Sequence, residues 1–102
     1  MTQSLGILLT TPPDAGDLEA VIGLGETALA GGRRVRIFVM YEGVRHLNDP
    51  RFLELADKGA EIAVCAQNAI ERAIEQPPGV VWGGQYDLAT MVAECDRFLA
   101  FN

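Results

Sequence analysis

A cysteine stands where a short apolar run meets a helix-like pattern, in AEIAVCAQNAIERA at residues 60–73. The first turn of a helix has backbone N–H groups without partners, and the helix dipole adds positive potential, so a negative charge is stabilised there. A thiolate is such a charge, and it is the nucleophilic form of cysteine. Cys65 is therefore a candidate nucleophile, and the alternative is a cysteine that fills space beneath the helix.

Two further residues with reactive side chains are Cys95 and His46. The cysteines form no CxxC pair and the chain has a single histidine, so we expect no metal site and two free thiols. Cys95 precedes the last predicted strand, and we interpret it as a small packed residue far from Cys65. His46 lies in an irregular segment, where it could serve Cys65 as a base or be a solvated loop residue.

The elements that must position these residues alternate along the chain. Apolar runs predict strands over residues 4–10, 34–41, 60–64, 80–82 and 97–102. Helical spacing predicts helices over residues 18–30, 50–58, 66–76 and the greater part of 83–94. Gly31, Gly32 and Gly59 are expected to end the first two helices, and Asp49 to cap the second. The alternation predicts a single α/β domain over residues 1–102, with three α/β/α layers and a five-stranded, mainly parallel sheet whose strand order is left open.

One edge of this sheet is the expected site, because open parallel sheets bind ligands outside the carboxyl ends of their strands. Cys65 lies at that edge, and Cys95 lies at the other. Tyr41 and Trp82 either line a pocket there or cap the core. The full set of residues predicted to share the edge is polar apart from these two aromatics: Thr10, Thr11, Tyr41, Glu42, Gln67, Asn68, Trp82, Gly83, Gly84 and Gln85.

Charge and hydropathy limit the possible partners and locations. The formal net charge is −6 and the pI is about 4.6, which argues against nucleic acid and anionic membranes as partners. No apolar run approaches the roughly 20 residues that span a bilayer, and the start of the chain lacks a signal-peptide pattern, so a cytoplasmic location is expected. The loop TTPPDAGD at residues 10–17 does not suit a flavin phosphate, because its two prolines lack N–H donors and its two aspartates repel phosphate. A Walker P-loop and a GxGxxG motif are also absent.

Three segments resemble the DsrE/DsrF-like (TusD-like) sulfur-relay family. AVCAQNAIERAI at residues 63–74 is similar to its strand–Cys–helix element, and VMYEGVRHLND at 39–49 is similar to its segment after the second strand. ECDRFLAFN at residues 94–102 resembles its closing strand. The chain departs from the family in having Arg72-Ala73 where relatives often have Arg-Gly.

The resemblance implies an α/β/α domain that assembles into trimers or hexamers. It also implies that Cys65 relays sulfur as a persulfide between a donor protein and an acceptor protein, without a metal or organic cofactor. Whether the chain acts as a sulfurtransferase enzyme stays open. The alternatives are a non-enzymatic structural or regulatory subunit of such an oligomer, and a small-molecule binding module that uses Tyr41, Trp82 and the glycine turn.

Overall fold

The computed structural model describes residues 3–102. The strands are β1 (Ser4–Leu9), β2 (Arg34–Val39), β3 (Glu61–Cys65), β4 (Val80–Gly83) and β5 (Arg97–Phe101). The helices are α1 (Leu18–Ala30), α2 (Pro50–Asp57), α3 (Ala66–Glu71) and α4 (Gln85–Glu94). Short 3₁₀ segments occupy Pro13–Ala15 and Tyr41–Asn48. Within the described residues, no helix has the length and apolar character needed to cross a membrane.

The five strands form one parallel sheet in the order β4-β3-β2-β1-β5. The chain steps in one direction from β1 to β4 and then returns past β1 to place β5. Because parallel crossovers are right-handed, the first three helices lie on one face of the sheet and α4 lies on the other. The predicted α/β/α layering is therefore confirmed, but the two outer layers are unequal.

The hydrophobic core is correspondingly larger on one face of the sheet than on the other. On the face covered by three helices, alternate strand residues such as Ile7, Ile37 and Val64 pack with Val21 of α1 and Phe52 of α2, all of them fully buried. On the α4 face the buried cluster is small, and it consists of Phe38, Met40 and Met91. We call these the first and the second core cluster.

Each of the first three helices ends in the same backbone motif, with a residue in the left-handed region. Gly32 (φ 78°) follows α1 and Gly59 (φ 112°) follows α2, as predicted. Ala73 (φ 55°) has this role after α3, and Ile74 N–H then donates to the carbonyl of Ala69 at 2.9 Å. The predicted helix over 66–76 is thus wrong in length: α3 ends at Glu71, because the chain turns at an alanine that the pattern gave no reason to suspect.

The segment Tyr41–Asn48 also differs from the prediction. We expected β2 to reach Tyr41 and an irregular turn to follow, but β2 ends at Val39 and a 3₁₀ segment begins at Tyr41. Gly43 is buried against the end of β1, and a Cβ there would lie 2.8 Å from the carbonyl carbon of Leu9 and closer still to its oxygen. This close approach requires glycine and brings Val44 and His46 into buried positions.

Candidate functional site

Cys65 is the last residue of β3 and the N-cap of α3, with φ −69° and ψ 106°. Its side chain is partly exposed, forms no disulfide and packs against the second core cluster. Cys65 therefore has an apolar wall on one side and is only partly covered by the rest of the protein. The helix that it caps has six residues, so the local N–H groups of the first turn, rather than a long dipole, provide the positive potential.

An acidic side chain of α4, that of Asp87, lies over Gly83 of the neighbouring strand β4. Gly83 is the register partner of Cys65, and a Cβ at Gly83 would lie 2.8 Å from the Cγ of Asp87. The Asp87 carboxylate accepts the Gly84 N–H at 2.8 Å, which holds it over the start of α4. Asp87 was not among the predicted site residues. The sequence could have identified it, because it lies three positions after the N-cap glycine, where acidic side chains fold back onto the start of the helix.

The other neighbouring strand, β2, is followed by a strained residue. Tyr41 adopts φ 51°, which is uncommon for a bulky side chain and marks a conformation that the surrounding structure must enforce. Its N–H donates to the Oδ1 of Asn68 in α3 at 2.7 Å, and its own side chain is 55% exposed. The carboxyl end of β2 and the helix that follows Cys65 are thus tied together by one short hydrogen bond.

Glu42 and Arg72 extend this connection. Arg45 and Arg72 both donate to the Glu42 carboxylate, at 2.5 Å and 2.9 Å, and these hydrogen bonds hold the pKa of Glu42 below its ordinary value. Arg72 also donates to the carbonyl of Asn68 at 3.2 Å. The polar side chains on this flank are therefore paired among themselves and fix the position of α3.

The remaining predicted residues are distributed over a wider area. Trp82 packs against the first core cluster, so the sheet separates its ring from the Cys65 side chain. Thr10 and Thr11 follow β1, two strands from β3 and hence about 10 Å away. Their hydroxyls donate within 3.3 Å to Phe101, Asn102 and Asp17. Gln67 and Gln85 are exposed at the starts of α3 and α4, and Gly84 is the N-cap of α4.

His46 is fully buried, so its interpretation as a solvated loop residue is wrong. Its Nε2 lies 3.0 Å from the carbonyl of Thr11, and because a carbonyl only accepts, Nε2 carries the proton. Nδ1 has no hydrogen-bond partner within residues 3–102. Burial lowers the pKa of His46, against the smaller raising effects of Thr11, Asp49 and Asp17. The ring lies 5.9 Å from that of Phe52 in the first core cluster, whereas Cys65 packs against the second.

Cys95 is also a free, partly exposed thiol that packs against the second core cluster. It precedes β5, which three strand spacings, or about 14 Å, separate from β3. The two cysteines therefore share a face of the sheet but not an edge. No group of three or more histidine, cysteine or acidic side chains that could hold a metal ion occurs in the part of the chain that the structure describes.

The chain is similar to known proteins over nearly its whole length. The sequence model of the DsrE/DsrF-like family matches residues 3–101. The crystal structure of the ychN protein from E. coli has a TM-score of 0.79 at 21% identity, covering 98% of this chain and 100% of that one. A conserved protein of unknown function from Bacteroides thetaiotaomicron, BT1422, has a TM-score of 0.79 at 14% identity, covering 97% and 95%. No curated protein matches the chain.

Proposed function

The chain belongs to the DsrE/DsrF-like family, and from this membership and the position of Cys65 we propose that it is a sulfur carrier. Cys65 holds a persulfide and passes its outer sulfur to an acceptor protein. The observation that carries the proposal is a free, partly exposed thiol at the carboxyl end of β3, at a helix start. We place this relay in the cytoplasm, where reducing conditions keep Cys65 and Cys95 as thiols.

The transfer follows the logic of thiol–disulfide exchange. The Cys65 thiolate attacks the outer sulfur of the donor's persulfide, the new S–S bond forms on Cys65, and the donor cysteine leaves as a thiolate. An acceptor thiolate then attacks the outer sulfur on Cys65, and Cys65 is released as a thiolate. Each step exchanges one S–S bond for another, so no external oxidant or reductant is consumed.

The surroundings of Cys65 suit an intermediate of this kind. The apolar wall of Phe38, Met40 and Met91 shields the inner side of the sulfur, while the partly exposed side leaves room for a partner's cysteine. Tyr41 and Asn68 hold the neighbouring strand and helix in a fixed relation, so the thiol is presented from a rigid rim. A fixed geometry favours an in-line attack, because less conformational freedom is lost in reaching it.

The test is intact mass spectrometry after incubation with inorganic polysulfide, applied to the native chain, Cys65→Ser and Cys95→Ser. Cys95 is a matched control because it is also free, partly exposed and packed against the same cluster. We expect a gain of one sulfur, reversed by dithiothreitol, in the native chain and in Cys95→Ser but not in Cys65→Ser. A gain that follows Cys95, or no gain in any variant, would refute the proposal.

A second candidate function is a structural or regulatory subunit of a homo-oligomer, and exposed apolar side chains favour it. Tyr86 is 82% exposed, Ile70 67% and Val81 55%, and they lie on α4, α3 and the edge strand β4. These three elements are consecutive along the chain, and apolar side chains left in water are typical of surfaces that another chain covers. We propose that a trimer or hexamer forms, and light scattering that shows only monomer would contradict this.

The two candidates differ in the state of Cys65 within the oligomer. A carrier must keep the thiol reachable, so alkylation of Cys65 by iodoacetamide should proceed in the assembled protein. A purely structural subunit would bury that edge, and alkylation would then require dissociation. A small-molecule site at Tyr41 and Trp82 has less support, because the Trp82 ring packs against the first core cluster.

A further inference from the structure

A cavity of about 390 Å³ lies at the amino edge of the sheet, at the opposite end from Cys65. It is bounded by the last turns of α1 and by the starts of β1 and β5. Its volume falls within the range of small-molecule sites, which are mostly apolar with a few convergent polar groups. Nothing in the proposed sulfur relay uses this cavity.

The charges around the cavity are unusual for this chain. The chain has eight lysine and arginine residues, and six of them form ion pairs: Arg34, Arg36, Arg45, Arg51, Lys58 and Arg72. The two that pair with no carboxylate among residues 3–102 are Arg33 and Arg97, and both line the cavity. In a protein of net charge −6, the two unpaired guanidinium groups are thus collected at one concave site.

Neither guanidinium group forms an ion pair with a carboxylate among residues 3–102, so both keep donors that could bind an anion. Arg97 donates from Nη1 to the backbone carbonyl of Asp96 at 3.1 Å, which leaves its other donors free. The Arg33 side chain lies across the end of α1, where its Nη1 would be 2.7 Å from a Cβ at Gly31. The one carboxylate in the lining, that of Asp96, accepts the Ser4 N–H at 2.7 Å and the Ser4 hydroxyl at 3.2 Å.

The rest of the lining is apolar. Leu24 of α1 is 38% exposed although it lines the cavity, and Leu5 and Ala28 provide further hydrocarbon surface. A ligand that placed an apolar body against Leu24 and an anionic head between Arg33 and Arg97 would satisfy both features. A dianion such as phosphate suits the site less well, because the Asp96 carboxylate in the same wall would repel its second charge.

We propose that this cavity binds a compact organic monocarboxylate, with the carboxylate held by Arg33 and Arg97 and an apolar group against Leu24. Arginine is suited to this role because its planar fork offers paired donors to a carboxylate. The site is independent of Cys65, so persulfide loading does not require its ligand.

The test uses 3-phenylpropionate as the probe, with its uncharged amide and inorganic phosphate as comparisons. Titration is followed by ¹H–¹⁵N spectra of the full chain. We expect saturable shifts at the amides of Leu24, Thr27 and Arg97 with 3-phenylpropionate, and binding about tenfold weaker or more for the amide and for phosphate. No saturable binding, equal binding of the amide, or tighter binding of phosphate would each overturn the proposal.

Arginine variants test whether the two guanidinium groups contribute to binding. Arg33→Gln and Arg97→Gln should each weaken binding of 3-phenylpropionate about tenfold, because each removes one charge-assisted contact. Arg51→Gln is the matched control, because Arg51 is an exposed arginine that pairs with Glu19 and Asp49 away from the cavity. Both cavity positions are exposed, so the variants are expected to fold. Unchanged affinity in Arg33→Gln and Arg97→Gln would also overturn the proposal.

Discussion

Most substitutions in a core or a helix lower the stability of a protein, but replacing the left-handed alanine after α3 should raise it. Ala73 has φ 55°, is exposed, and takes the position that glycine takes after α1 and α2. An L-residue pays about 1–2 kcal/mol for this backbone region, because its Cβ crowds the following carbonyl. Ala73→Gly removes that crowding and keeps the two hydrogen bonds that end the helix.

The expected gain is smaller than the full strain energy. Glycine has more freedom to lose on folding, which costs about 0.5–1 kcal/mol relative to alanine. The net effect is a rise of about 0.5–1 kcal/mol in the free energy of unfolding. For a chain of 102 residues this corresponds to a rise in Tm of roughly 2–6 °C.

Three control substitutions make this prediction specific to backbone conformation. Gly32→Ala exchanges the same two residues in reverse at the equivalent position after α1, where a Cβ would meet nothing within 4 Å. It should therefore lower stability by about 0.5–1 kcal/mol, the reverse of the effect expected for Ala73→Gly. Gly59→Ala should do the same after α2. Ala20→Gly lies at an exposed position within α1, where glycine costs about 1 kcal/mol.

The assay is urea unfolding followed by the fluorescence of Trp82 and by circular dichroism, with all four variants measured in one buffer. Ala73→Gly should raise the midpoint while the three controls lower it. If Ala73→Gly lowered the midpoint as Ala20→Gly does, the end of α3 would not be left-handed in solution, and our account of why α3 stops at Glu71 would be refuted.

Three further predictions concern the close contacts and the buried histidine. Gly43→Ala should cost 3 kcal/mol or more, roughly the scale of severe core disruption, since its Cβ would collide with the Leu9 backbone. Gly25→Ala should change stability by no more than about 1 kcal/mol, because its Cβ would meet a flexible Leu55 methyl group at 3.3 Å while alanine favours the interior of α1 over glycine by about 1 kcal/mol; a loss equal to that of Gly43→Ala in urea unfolding would contradict this contrast. The lowered pKa of His46 means that the unfolded chain binds the proton better, so stability is complete above about pH 6.5 and falls as the pH drops towards the folded value. His46→Gln should flatten the stability profile between about pH 7 and 5, and an unchanged slope would show that other groups cause the loss.

Much of the fold could be predicted because it depends on local pattern. The five apolar runs, the glycines after α1 and α2, and Asp49 as a cap all act within a few residues. All five strands lie within two residues of their predicted bounds, and the glycines and the cap are as predicted. The length of α3 was missed because an alanine adopts the glycine conformation, a choice that tertiary contacts at Ile74 and Arg72 enforce. The strand order could not be predicted, since it depends on which edge of the sheet β5 joins.

For the candidate site, the sequence predicted the position of Cys65 but not the arrangement of the residues around it. Cys65 was identified from its place at the strand–helix junction, which is a local feature. The sequence could not show that Cys65 and Trp82 face opposite sides of the sheet. That depends on the register of β3 against β4, in which Cys65 pairs with Gly83, the residue after Trp82. The burial of His46 depends on Gly43 approaching β1, a contact between segments more than thirty residues apart.

The unequal layers of the fold connect the site with the exposed apolar surface. Right-handed crossovers require three helices on one face and leave α4 alone to cover the other, because only the last connection runs back across the sheet. One helix of ten residues cannot cover five strands, so Val81 stays 55% exposed and Cys65 is only partly covered. The same topological step therefore leaves Cys65 partly exposed and leaves apolar surface in contact with solvent. If the proposed sulfur carrier forms an oligomer, its interface must cover Val81 and Tyr86 and still leave a path from solvent to Cys65.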